Sequence, residues 1–484
     1  MRLLVFIFIV LFSVPAIGRQ SGDTLRLTLQ EVIKMAKEKS IPARQASTTK
    51  ETKFWEWRTF RSNYQPQLTL TGILPGYSKT FAEVLQPNGT VDFQPVRNNN
   101  SLVNLSFSQS ITATGGSVFG TTEIQRFDDF DRNNVLYNGV PYALGYSQPL
   151  FGFNKLKWDQ KVEPLRFRES KQEYFESMEQ IAINASSYFF DLLLAQVNLN
   201  IAETNYSNTE NILKVADLKF QLGKITRNEI LQLKLEKLKS QKAVGIAKRD
   251  VEVATLNLRS YTGLGDTGII LAPPKCRIDT KIDAEKALLE AYANRSDAIG
   301  FARRIAEAKR DVAKAKGETG INATLTARLG FSKSSPTFAG VYRSPQNQQL
   351  LQVELSIPIL DWGRSLSKSR TAKANLQLSE YSVEQDKQSF SQEISTEVAL
   401  FNMMKDQLVL SAEADSIASD KFLIAKERYL LGNLSITDLS IAFQEKDQAK
   451  RDYISALRDS WGAFFKLRYL SLYDFDKQKK IAYE

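Results

Sequence analysis

Two very long helical stretches, about residues 155–221 and 364–430, constrain this chain more than any other feature. At ~1.5 Å rise per residue, a helix of that length reaches roughly 100 Å. Each stretch ends at Leu-Gly (Leu222-Gly223 and Leu431-Gly432), where glycine supplies the left-handed position that stops a helix. After the first of them a return helix is predicted over 226–262. In it Ile230, Lys237, Val244, Val251 and Leu258 fall seven apart, as do Leu233, Ser240, Ala247, Ala254 and Tyr261. That is a coiled-coil seam with many small residues, which lets helices approach closely. Helices this long and this thinly apolar cannot build a compact globule. They must pack side by side in a rod or a wall.

Composition removes several function classes. The 484 residues contain no His and one Cys, Cys276, so His-based triads, His-ligated metals, Cys-rich zinc sites and internal disulfides are all excluded. The formal charge of +10 is spread along the chain without a Lys/Arg block, which argues against nucleic-acid binding. No Walker-type phosphate loop is present. Gly263-x-Gly265-x-x-Gly268 follows a helix rather than a strand, so it reads as a loop and not as a dinucleotide site. No cofactor is expected.

At the start of the chain Arg2 precedes an apolar run from Leu3 to Phe12 and then Pro15-Ala16-Ile17-Gly18. This order of basic, apolar and small residues is that of a secretory signal peptide, residues 1–18, cut after Gly18. Beyond residue 12 no apolar run approaches the ~18–20 residues that a membrane-spanning helix needs.

The chain reads as a doubled unit. Phe220 to Ile230 aligns with Tyr429 to Leu439, with Gly223 on Gly432, Thr226 on Ser435 and Glu229 on Asp438. The same offset places Gln148-Pro149-Leu150-Phe151 on Ile357-Pro358-Ile359-Leu360. Ser40 and Ala46 face Ser296 and Ala302 at a larger offset, so the first half carries extra residues between these points. One long unit present twice is a duplication rather than a solenoid. Each half opens with a helix, 29–63 and 284–318, followed by segments in which apolar and polar residues alternate. Val103, Leu105 and Phe107 interleave with Asn104, Ser106 and Ser108, and Leu351, Val353 and Leu355 with Gln352, Glu354 and Ser356. Period two with one apolar face predicts half-buried strands. Four are expected in the first half (67–80, 101–112, 116–126, 140–150) and two in the second (322–333, 349–359). Gly115-Gly116 is the predicted turn between 101–112 and 116–126. Asn98-Asn99-Asn100 and Asp128-Asp129-Phe130-Asp131 read as exposed loops. Two environments fit the apolar faces: a small sheet packed on helices, or a membrane barrel with lipid outside and water within.

Taken in order, the duplication, the strand exits Pro149–Phe151 and Pro358-Ile359-Leu360-Asp361-Trp362-Gly363, and the two Gly-centred tips resemble the TolC-like outer-membrane efflux proteins, over essentially all of the sequence after the signal peptide. The resemblance implies an α+β membrane protein. A homotrimer would join one outer-membrane β-barrel to a long coiled-coil tunnel through the periplasm of a Gram-negative bacterium. It implies a first repeat over 19–262, an equatorial linker over 263–283, a second repeat over 284–469 and an equatorial C-terminal segment over 470–484. The family's usual arrangement has four strands per protomer and twelve per trimer. The extra residues of the first half therefore either add barrel strands or form a hairpin outside the membrane or in the lumen, and the second arrangement is the expectation here.

The resemblance also assigns roles at the tips. Leu222, Gly223, Lys224, Leu431, Gly432 and Asn433 would face the periplasm and receive an adaptor protein, which connects to an inner-membrane transporter. The family's tip tyrosine falls on Tyr429 and its constricting acids on Asp438 and Glu229. Its gate arginine falls on Leu434 and a second acidic ring position on Ile441, so an arginine latch is not expected. The residues themselves offer a second role. Thr226-x-x-Glu229 and Ser435-x-x-Asp438 have capping-box spacing, with Thr226 and Ser435 as helix caps. Tyr429 and Phe220 also fit plain helix-end packing. Three functions follow: a passive efflux duct for small molecules, which is the expectation; the duct of type I protein secretion; and, in another class, a periplasmic coiled-coil scaffold without a pore. None is an enzyme.

Overall fold

The computed structural model describes residues 25–223, 225–266, 268–274 and 281–483. The signal peptide, Lys224 and Cys276 lie outside the described residues. Strand β1 (Leu25–Leu27) leads into α1 (Leu29–Lys39) and α2 (Ile41–Ser62). Strands β2 (Gln67–Ile73), β3 (Tyr77–Leu85), β4 (Val91–Ile111), β5 (Gly116–Asp129) and β6 (Asn134–Pro149) follow. Then come α3 (Lys155–Gln221), α4 (Arg227–Thr262) and the short β7 (Ile269–Leu271). The second half has α5 (Ala284–Asn294), α6 (Ser296–Thr319), β8 (Asn322–Ser335), β9 (Gln346–Ser356), α7 (Arg364–Leu431) and α8 (Ile436–Ser471). Two-residue strands β10 (Tyr473–Asp474) and β11 (Lys479–Lys480) close the chain. Among the described residues, no helix is long and apolar enough to cross a membrane.

The long helices α3 and α7 have 67 and 68 residues, and each is followed by a 36-residue partner, α4 or α8. On α4 the predicted seam is real. Ile230, Leu233, Ala247 and Leu258 are buried, and Lys237, Ser240, Val244, Val251, Ala254 and Tyr261 are half-buried. The main core surrounds the middle of the long helices, where Phe189, Phe190, Leu192, Phe401, Leu467 and Leu470 are almost wholly enclosed. There β7 pairs in parallel with β1 and is held to α3 by Gln196, whose Nε2 donates to the Ile269 carbonyl at 2.7 Å and whose Oε1 accepts from the Leu271 N–H at 3.1 Å.

Each opening helix is two helices, not one. Ser40 breaks the first: its Oγ accepts from the Ala43 N–H at 3.1 Å, and Pro42 sits in the first turn of α2. The second breaks at Arg295, which makes no side-chain cap of its own. The cap comes from α3, where the Glu176 carboxylate accepts from the Ser296 N–H at 2.8 Å and from its Oγ at 2.9 Å. A carboxylate at the positive end of a helix satisfies donors that would otherwise be orphaned.

All strands but the short β1, β7, β10 and β11 form one antiparallel sheet in the order β2-β4-β5-β6-β8-β9, with β3 pairing the far end of β4. The predicted strand 67–80 is split by Leu74-Pro75-Gly76 into β2 and β3, because proline lacks the N–H a ladder needs. Asn98–Asn100 and Asp128–Asp129 are not loops. They pair with one another across β4 and β5, the Asn99 Nδ2 donating to Asp128 at 2.8 Å. The predicted β4–β5 turn is a loop over 112–115, with Gly115 at φ +77°. The extra residues of the first half are part of this sheet. β5 pairs with β4 from Asn98 to Ile111, and β4 pairs β2 on its other side from Leu102 to Ser108.

Candidate functional site: the sheet faces and the helical tips

The register sorts the sheet into two faces. One row across the strands reads Leu68, Phe107, Gly120, Leu144, Leu329, and the row beside it reads Thr69, Ser106, Thr121, Ala143, Gly330. The first face continues through Leu70, Leu105, Val118, Tyr142, Leu351 and Val353, and the second through Asn104, Glu123, Arg328, Gln352 and Glu354. The apolar face is the more exposed: Leu144, Leu329 and Leu351 are 66%, 62% and 77% accessible, whereas Asn104, Ser106 and Glu123 are half-buried. A water-soluble sheet does the opposite, since exposing apolar area costs about 25 cal/mol per Å². At one end of the apolar band sit exposed aromatics, Tyr77, Phe130, Phe338 and Tyr342, and at the other Phe151 and Trp362. The two edge strands, β2 and β9, are exposed along their whole length.

At the opposite end of the molecule, the long helices turn back at two glycines. Gly223 and Gly432 have φ of +68° and +84°, which only glycine adopts without strain. Gly432 donates to the Tyr429 carbonyl at 3.0 Å and Asn433 to the Arg428 carbonyl at 2.9 Å, closing the end of α7. Leu222 and Leu431 stand at these turns, 70% and 77% exposed.

Beyond each turn the next helix starts on its hydroxyl cap. At α4 the box is complete. The Thr226 N–H and Oγ1 donate to the Glu229 carboxylate at 2.7 and 2.9 Å, and the Glu229 N–H donates back to Thr226 Oγ1 at 3.3 Å. The backbone N–H of Thr226, then its hydroxyl, hold the Glu229 carboxyl below its ordinary range. At α8 the Asp438 N–H donates to Ser435 Oγ at 3.1 Å and that hydroxyl donates to Asp438 at 2.7 Å. The reciprocal bond to the cap's backbone does not form, because aspartate is one methylene shorter. The Asp438 carboxylate is thus less committed to its cap than Glu229.

Tyr429 is buried in a small cluster with Ile212, Ala216, Ile230, Leu233, Phe422, Ile436 and Leu439. Burial pushes its hydroxyl pKa up, and the Glu229 charge adds to that. Lys219 lies over its ring at 5.1 Å and donates to its carbonyl at 3.3 Å. Phe220 is exposed, and Leu434 packs against the same cluster. The tip cluster thus unites the ends of both helical pairs, with Tyr429 as part of its core.

Sequence reasoning did not single out a second exposed set. On α7, Met403, Leu410, Ile417, Ile424 and Leu431 recur every seventh residue, and all are exposed. The away face of α4 likewise exposes Leu231, Leu235, Leu238, Ile246, Val253 and Leu256. The heptad spacing on α7 was legible and could have found it.

The chain thus joins an inside-out sheet to two pairs of long helices. Residues 296–468 match the family described as outer membrane efflux protein. No curated protein matches the chain. Among solved structures, the CmeC outer membrane channel of Campylobacter jejuni superposes with a TM-score of 0.66 at 16% identity, over 94% of this chain and 87% of that one. The outer membrane protein VceC of Vibrio cholerae gives 0.63 at 13% identity, over 94% and 97%. The open state of the MtrE outer membrane channel of Neisseria gonorrhoeae gives 0.52 at 16%, over 94% and 91%. The resemblance to the TolC-like outer-membrane efflux proteins is borne out, over residues 296–468 by the family pattern and over nearly the whole chain by the fold.

Proposed function

We propose that this protein is the outer-membrane duct of a tripartite efflux system in a Gram-negative bacterium. It catalyses no reaction and supplies a water-filled path for small molecules across the periplasm and the outer membrane. The observation that carries this reading is the inverted sheet, with its apolar face exposed and the polar face of its inner strands sheltered. Lipid is the solvent that such a face fits, and an aqueous lumen suits the other.

Three copies complete the structure. The unpaired edges β2 and β9 are antiparallel to each other, so β9 of one copy can pair with β2 of the next and abolish the open edges. The exposed stripe on α7 supports side-by-side packing of helices from neighbouring copies. The exposed leucines at Leu222 and Leu431, with Gly223, Gly432 and Asn433, form the face for a periplasmic adaptor, and an inner-membrane transporter supplies the energy. Asp438, Glu229 and Tyr429 line or brace the constriction. Three copies of Asp438 around a narrow axis concentrate negative potential there. Opening is a rearrangement of the tip helices, driven by tighter binding of the adaptor to the open form.

The test is planar-bilayer conductance of the detergent-purified protein together with its native mass. A trimer with stepwise conductance is expected. A monomer that washes from membranes without detergent and carries no current overturns the reading in favour of a scaffold.

A further inference from the structure

We propose that the β4–β5 hairpin, over residues 101–126, is itself a membrane-facing part of the wall, so that each protomer presents six strands to lipid rather than four. The inference rests on the membrane-barrel reading above and deepens it. Its partner is the acyl-chain region of the outer membrane.

Three observations place the hairpin in the wall. The first is pairing. β4 is bonded to β2 from Leu102 to Ser108 and to β5 from Asn98 to Ile111, while β5 is bonded to β6 from Ser117 to Asp129 with one bulge. A hairpin that projected away, or folded into the lumen as a plug, would leave these ladders.

The second is facing. The hairpin keeps the parity of its neighbours: Val103, Leu105, Phe107, Val118 and Ile124 share the face of Leu68, Leu144 and Leu329. Gln109 and Thr122 share that face, while Asn104, Ser106, Ser108, Thr121 and Glu123 turn the other way, and there Asn104 Nδ2 donates to Glu123 at 3.0 Å across the two strands. Phe119 is an apolar exception on the polar side, and the structure provides for it. Its ring covers Gly145, where an added Cβ would stand 2.2 Å from Phe119. A plug in water would have no use for the apolar face, whereas a wall strand needs it.

The third is length. The hairpin turns at 112–115 beside the helix end, where Asn154 Nδ2 donates to the Thr112 carbonyl at 2.9 Å. At the far end it meets a polar band built from Asn99 and Asp128 at 2.8 Å, Arg126 and Asp128 at 2.8 Å, and Arg97 and Asp131 at 2.7 Å. Between turn and band lie residues 101–111, close to the ~9–11 that a tilted strand needs to cross a bilayer. The outer hairpin, β3 with residues 91–96 of β4, extends past that band.

Adding strands in pairs keeps the count even, so the edges still meet antiparallel when copies close the wall. Because barrel diameter grows roughly linearly with strand number, three such protomers enclose a bore about 1.5 times as wide as four-strand protomers would.

The experiment uses full-length protein carrying Cys276→Ser and one new cysteine at Phe107, Val118, Leu329 or Ser106. Each is labelled with an environment-sensitive fluorophore and reconstituted in phosphatidylcholine vesicles with brominated acyl chains. Bromine quenching at Phe107→Cys and Val118→Cys equal to that at Leu329→Cys, with little at Ser106→Cys, is expected. Quenching at Leu329→Cys but not at the two hairpin positions overturns the six-strand wall and leaves the barrel standing. No quenching at Leu329→Cys overturns the barrel and the hairpin assignment with it.

Discussion

Glu179, midway along α3 and fully enclosed, accepts a hydrogen bond at 3.0 Å from Nε of Arg468, which approaches from α8. The same carboxylate takes Lys37 Nζ of α1 at 3.0 Å and the hydroxyl of Tyr483 near the chain end. Arg468 in turn donates to Asp474 at 2.6 Å. One buried charge therefore ties the middle of α3 to α1, α8 and the C-terminal segment.

Removing that charge leaves Lys37 without a carboxylate partner and Arg468 with Asp474 alone. Glu179→Gln is expected to cost about 3–5 kcal/mol, because breaking a buried pair strands the remaining charge. Burial alone pushes the Glu179 carboxyl up, but the attraction of Lys37 and Arg468 and the hydrogen bonds outweigh it and hold it below its ordinary 4.5. A carboxyl depressed in the folded state contributes stability above pH ~4.5 that is lost as pH falls through the folded value. Thermal unfolding of the detergent-purified protein should show this acid loss in the wild type, and Glu179→Gln should flatten it. A variant as stable as the parent at pH 7 would remove the cluster from the account of the fold.

The two tip caps should separate cleanly on substitution. Thr226→Ala is expected to loosen the start of α4 by about 1 kcal/mol, read as faster hydrogen exchange confined to the tip. Asp438→Asn keeps the Ser435 oxygen bonded to the residue 438 N–H, so the helix start survives while the charge is lost. Block by multivalent cations in single-channel recordings should weaken. An unchanged block leaves Asp438 with its cap alone.

Gly432 offers a simpler test of the tip's geometry. Its φ is +84° and no atom lies near an added Cβ, so Gly432→Ala meets backbone strain and no clash. A cost of about 1 kcal/mol is expected from the left-handed conformation. It should appear as earlier proteolysis at the tip, with the overall melting temperature nearly unchanged. Gly223→Ala, at φ +68° and equally open, should behave alike.

How much of this was legible depended on where each structural cause resides. The α4 seam and the Gly223 and Gly432 turns were readable because spacing and residue type act locally. So was the break at Ser40, in hindsight, since a serine two residues before a proline is a helix start. The break at Arg295 was not, because its cap is Glu176, 120 residues away in sequence. Asn98–Asn100 read as a loop by composition and became strand because Asp128 supplies partners across the ladder. At the tips, spacing showed that Glu229 and Asp438 could cap. Only the geometry showed that Glu229 closes its box in both directions and Asp438 in one.

The exposed heptad on α7 leads to the last prediction. Ile394, Val398, Phe401, Leu408, Phe422 and Tyr429 form the buried side of that helix, so Met403, Leu410, Ile417, Ile424 and Leu431 lie outside the protomer's own core. Each apolar side chain left in water forgoes about 1.5–3 kcal/mol of burial, and a row of five at heptad spacing is hard to account for unless another helix covers it. If a second copy does, Ile417→Asp and Ile424→Asp should dissociate the assembly and abolish conductance while far-UV circular dichroism stays helical. Phe401→Asp, by contrast, should unfold the protomer itself, since that ring is wholly enclosed. A native-mass trimer that persists in both isoleucine variants would turn the stripe toward solvent or an adaptor and away from the subunit contact.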